Sequence, residues 1–94
     1  MNQYANIPVT AKFPAFVVSV QGTNPGPASG ITYTLDINMP NSGPLRVAGV
    51  APANNRPPED MDTRAVAPNT FCEVWFIGGR VHACIYEFPA WGSC

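Results

Sequence analysis

The chain has 94 residues, of which 46% are hydrophobic, 11% aromatic and only 12% charged, with a formal net charge of −1. That length reads as one domain with a thin core, since so short a chain buries only about 60–65% of its unfolded surface. The five basic residues, Lys12, Arg46, Arg56, Arg64 and Arg80, are scattered, which argues against a phosphate-neutralising surface.

Eleven prolines and eight glycines leave almost no stretch that can carry a helical period, so the elements are read as strands. Residues 1–12 form an extended N-terminal arm in which Tyr4, Ile7 and Val9 are isolated apolar anchors. Fully extended, such an arm spans up to ~40 Å and reaches a neighbouring subunit. The domain proper is residues 13–94. Its first strand, residues 13–21, is rich in Val and Phe. Residues 22–30, GTNPGPASG, form a turn-rich loop with no strand-forming content. The clearest strand is 31–39, where Ile31, Tyr33, Leu35, Ile37 and Met39 alternate with Thr32, Thr34, Asp36 and Asn38, one face buried and one wet. A turn at 40–44 leads to a weaker strand at 45–50 with Leu45 and Val47 on one face, and Gly49 marks a bend or bulge.

Residues 51–69 are a proline-rich excursion loop, of a length that is often functional or ordered by a partner. Pro57 and Pro58 suit the start of a short helical turn over 59–64. Residues 70–77 and 80–88 then read as a hairpin about Gly78-Gly79. A two-residue link sets the register: Ile77 opposite Arg80, Trp75 opposite His82 and Glu73 opposite Cys84 on one face. Phe76 opposite Val81, Val74 opposite Ala83 and Cys72 opposite Ile85 make a wholly apolar second face, which is the core face. The fold class is therefore all-β, a small five-stranded barrel of the OB or SH3-like kind with an arm and a long loop; a small β-sandwich is the alternative.

The hairpin's outer face is unusual. A solvent face is normally Thr, Lys, Glu and Ser, but this one holds Trp75, Ile77, Arg80, His82, Cys84 and Tyr86. Either the chain's own arm or loop covers it or it meets a partner, since aromatics with Arg are enriched at interface centres. In the C-terminal tail, Trp91 is expected to pack into a groove. Tyr4, Ile7, Trp75, Ile77, Arg80, His82, Tyr86 and Trp91 are thus the candidate interface residues.

No catalytic motif survives inspection. His82 and Cys84 are sequential neighbours on one strand face, without an orienting acid or an oxyanion loop. Cys72 points to the core while Cys84 and His82 point away, which disfavours both a metal site and a Cys72–Cys84 disulfide. Glu59, Asp60 and Asp62 cluster without calcium-loop spacing and are flanked by Arg56 and Arg64. An odd cysteine count, without the charged start and apolar run of a secretion signal, suggests reduced thiols; Cys94 on the tail is the one candidate for an intermolecular bridge. No apolar run approaches the ~20 residues of a membrane helix. No catalytic, cofactor or metal residue is assigned.

The stretch VAPNTFCEVWFIGGRVHACIYE, residues 66–87, about a quarter of the chain, resembles the closing hairpin of small barrels in tailed-bacteriophage virions. It departs from their usual form at Pro68-Asn69-Thr70, where a Gly-Asp turn is more typical. The resemblance implies a virion structural protein made in the host cytoplasm, such as a capsid decoration (cement) protein or a head–tail or tail component. Its partners would be other virion proteins or copies of itself, with no membrane and no small-molecule substrate. The competing expectation is a single-stranded nucleic-acid-binding OB module using Trp75, Tyr86, His82 and Arg80, which the lack of a basic groove disfavours.

Overall fold

A computed structural model of the chain describes residues 11–40, 42–53 and 61–88. Among these described residues seven strands follow in order: β1 (Phe13–Gln21), β2 (Gly26–Pro27), β3 (Thr32–Met39), β4 (Gly43–Val50), β5 (Asp62–Thr63), β6 (Phe71–Ile77) and β7 (Arg80–Cys84), with one 3-10 turn at Ala28–Gly30. Five of them make one antiparallel sheet in the order β4-β3-β1-β6-β7, which curls into a half-barrel. The edge strands β4 and β7 approach each other where Pro52 forms a parallel bridge with Ala83, closed by the Ala53 N–H donating to the Ala83 carbonyl at 2.8 Å. The fold is all-β.

Alternation places the core on the concave side. Ile31, Tyr33, Leu35 and Ile37 are each buried completely; Ala15, Val17, Val74, Phe76 and Ala83 join them in the core from the neighbouring strands, and Ile85 from just beyond β7. Their burial is the principal stabilisation available, at about 1.5–3 kcal/mol for each large apolar side chain. The hairpin register is the one the two-residue link dictates, with Ile77↔Arg80, Trp75↔His82, Glu73↔Cys84, Phe76↔Val81 and Val74↔Ala83 paired. Gly78 and Gly79 take φ of 58° and 78°, the left-handed pair that a type I′ turn needs to match the twist of its strands. Gly49 has φ of 70° at the point where β4 slips against β3 between Tyr33 and Leu35; a Cβ at that φ would be strained, so glycine permits the bulge.

Three expectations need correction. Residues 22–30 are not strand-free, because Gly26–Pro27 pairs with Asp62–Thr63 as a two-stranded ribbon, pinned further by the Ala65 N–H donating to Asn24 Oδ1 at 2.9 Å. The helical turn expected over 59–64 is absent in its described part: Asp62–Thr63 is strand, and Arg64 bridges to Phe88. Pairing with the distant ribbon and tail satisfies these amides in place of a helix. The second hairpin strand ends at Cys84 rather than at residue 88, and Ile85 is buried just beyond it.

The segment after β7 is held by a buried polar contact instead. The Tyr33 hydroxyl donates to Glu87 Oε2 at 2.6 Å and accepts from the Val66 N–H at 3.3 Å. Glu87 is only 3% exposed. One phenol therefore joins β3, the strap before β6 and the C-terminal segment, and the low-dielectric surroundings strengthen each bond.

Candidate functional site

The outer face of β1, β6 and β7 carries the candidate site. Side chains alternate along β6, so Phe71, Glu73, Trp75 and Ile77 point outward while Cys72, Val74 and Phe76 point inward. Across the ladder Phe71 lies opposite Phe16 of β1, and their rings meet edge to face at 5.7 Å between centroids. Phe16 is 46% exposed and Phe71 57% exposed, so this pair satisfies itself geometrically yet leaves about half of each ring in water. A pocket of about 160 Å³ lies beside it, between Phe71, Glu73, Cys84 and Tyr86.

Further along the same face Trp75 is half-buried. Its ring stacks on His82 of β7, with centroids 6.0 Å apart and planes at 21°. Lys12 Nζ stands 5.8 Å from the indole centroid, within cation–π range. Ile77 and Arg80, paired at the hairpin end, are exposed, as is Tyr86. From Phe71 to Ile77 this stripe runs ~20 Å at ~3.3 Å per residue. Among the described residues its charges are Lys12, Glu73 and Arg80, two cations and one anion, a nearly balanced set that produces no strong field.

The structure thus brings together Trp75, Ile77, Arg80, His82 and Tyr86 on one side of the sheet. Tyr4, Ile7 and Trp91 lie outside the described residues. Of the two ways to cover the face, the chain's own Lys12 and His82 account for Trp75, but Phe16, Phe71, Ile77 and Tyr86 stay exposed. Sequence reasoning missed Phe16 and Phe71. Phe71 was accessible to it, because it shares the parity of Glu73 and Trp75. Phe16 was not, because it sits in an unbroken apolar run and only the β1–β6 register shows which face it takes.

The cysteines differ from expectation. Cys84 is disulfide-bonded, not a reduced thiol, and in that state it is no thiolate beside His82. Cys72 is free and buried on the opposite face; burial pushes its thiol up to about 11, the direction expected when the charged form loses water. Cys94, Glu59 and Asp60 lie outside the described residues, and Asp62 is exposed in β5. No group of three metal-ligating side chains occurs among the described residues.

By contrast, the outer face of β3 and β4 is polar. Asp36 and Arg46 form a bidentate pair, Nε to Oδ1 at 2.8 Å and Nη2 to Oδ2 at 2.9 Å. The guanidinium hydrogen bond holds the Asp36 carboxyl below its ordinary range.

Compared with known proteins, the chain matches no protein-family model, no curated protein sequence and no solved structure.

Proposed function

We propose that this chain is a non-catalytic structural subunit that binds other proteins through the outer face of β1, β6 and β7. One observation carries the reading: Phe16 and Phe71, packed on each other and each about half in water, stand on a sheet face whose other members are Trp75, Ile77, Arg80, His82 and Tyr86. Folding gains little from aromatic rings left exposed, whereas docking would bury them as anchors. The particular assembly proposed is a tailed-bacteriophage virion, with the chain as a capsid decoration or head–tail or tail component. The resemblance of residues 66–87 and the low charge of the chain support that placement. Immunogold labelling of virions assembled from the genome that encodes the chain tests it. Label on heads or tails is expected, and virions that carry none of the protein would contradict it.

A second reading has its own support. The strand order β4-β3-β1-β6-β7, with the parallel Pro52–Ala83 bridge just beyond β4, is compatible with an OB-type barrel, and such barrels often bind single strands on their second and third strands and the adjoining loops. Here that surface lies on β3 and β4. It carries Thr32, Thr34, Asp36 and Asn38, and Arg46 is paired with Asp36. The aromatics lie on the same outer face but on the neighbouring strands β1, β6 and β7. Retention on single-stranded DNA resin separates the readings. Protein binding predicts none at low salt, whereas nucleic-acid binding predicts retention lost steeply as salt rises.

A further inference from the structure

β1 is nine residues long, but its two edges are not used equally. Along one edge it pairs with β3 as far as Gln21↔Thr32. Along the other it pairs with β6 only from Phe13 to Phe16, because β6 begins at Phe71. Val17 closes that ladder: its N–H donates to the Thr70 carbonyl at 3.0 Å, and its carbonyl accepts from the Asn69 N–H at 2.7 Å. Beyond Val17, among the described residues, no strand lies beside Val18–Gln21 on this edge.

An open groove of about 610 Å³ runs along the vacant edge. Val18, Ser19 and Val20 form one wall, and Val66 and Ala67 contribute to the other. Phe88 closes it, with the Arg64 guanidinium 5.1 Å from its ring centroid. Edge strands are normally protected by Lys, Pro or a covering segment. Val18-Ser19-Val20-Gln21 contains neither residue. Apolar walls beside an unprotected strand edge are the chemistry of strand addition, in which main-chain hydrogen bonds hold an extended peptide and alternate side chains fill the walls.

We infer that this groove receives residues 1–10 of a second copy of the chain as an added strand. The segment, MNQYANIPVT, has no charged side chain, which suits a groove whose one charged lining residue is Arg64. Ala5, Ile7 and Val9 alternate and so share one strand face. With Ile7 and Val9 directing their amides at β1, Pro8, which has no N–H to offer, directs its nitrogen at the open side, where strands tolerate proline. The groove lies ~20 Å along β1 from Phe13 at ~3.3 Å per residue, within the reach of an extended decapeptide. In the same copy, however, β6 occupies the intervening edge from Phe13 to Phe16. A second copy has no such barrier.

This inference rests on the reading of the chain as an assembly subunit, but it uses a different surface from the aromatic face. The test is light-scattering mass of the full chain across concentration, with Ile7→Asp, Ala67→Lys and Phe71→Asp variants whose melting temperatures are checked first. The full chain should self-associate, and Ile7→Asp and Ala67→Lys should each weaken association at least tenfold. A 1:1 mixture of those two should recover a dimer, because the intact segment of one enters the intact groove of the other. A monomeric full chain, or unchanged association in both variants, overturns the inference. If Phe71→Asp alone dissolves the assembly, strand exchange is refuted while the aromatic face stands as the binding surface.

Discussion

The half-barrel has one inner face and two kinds of outer face. Behind β3 and β4 the outer side chains are Thr32, Thr34, Asp36, Asn38 and Arg46; behind β1 and β6 they are Phe16, Phe71, Glu73, Trp75 and Ile77. Both regions share one core and one hydrogen-bonded sheet, so folding makes the same demand of both. It asks only that the inward residues be apolar, and each region meets that demand. Folding alone does not ask for the aromatic dressing of the second region, and the proposed contact with another protein would use it, since such residues are enriched at interface centres.

The comparison is broken most severely from the inside. Phe76 is buried and packs edge to face on Phe13 at 5.9 Å. Phe76→Ala should cost about 3–5 kcal/mol by denaturant titration, whereas exposed Phe71→Ala should cost less than about 1 kcal/mol while weakening association. Equal costs would mean that Phe71 is a folding residue. The next largest effect is on pH dependence. Cys72 ionises at an ordinary value of 9.0 when exposed but at about 11 in the fold, so its contribution is complete below pH 9 and lost as pH rises through 11. Two units correspond to about 2–3 kcal/mol. Stability measured from pH 8 to 11 should fall more steeply in the parent than in Cys72→Ala, and parallel slopes would contradict the assignment.

Smaller still is Tyr33→Phe. Losing the hydroxyl removes one partner from Glu87 and one from the Val66 amide, at a cost of about 1–3 kcal/mol. Slowed proton exchange at Val66 in the parent, lost in the variant, would localise the effect to the strap. The smallest effect is expected on the polar outer face. Asp36→Asn breaks a bidentate pair that is open to solvent and salt, so the melting temperature should not move within error. A clear drop would show that the polar face is more than a wetted surface.

Much of this was legible in the chain, and the reason is periodicity. The strict alternation over 31–39 and the Gly78-Gly79 link specify faces and register through local geometry alone, and five hairpin pairs follow from them. What was not legible joins distant segments by one or two residues. The ribbon of Gly26–Pro27 with Asp62–Thr63 and the Arg64–Phe88 bridge are too short to leave a period. Nothing local marks Glu87 as buried until Tyr33, 54 positions earlier, is seen beside it. The candidate site divides the same way: Trp75, Ile77, Arg80 and His82 followed from hairpin parity, while Phe16 needed the long-range β1–β6 pairing. The bonded state of Cys84 could not be read from a count of three cysteines.

The most direct test of the aromatic face is hydroxyl-radical footprinting of the protein free in solution and in the virion particles proposed to carry it. Phe16, Phe71, Ile77 and Tyr86 should be labelled in the free protein and protected in the particle, while Met39 on the other side of the sheet keeps its labelling. Equal labelling of the four residues in both states would contradict the claim that this face is where the protein binds.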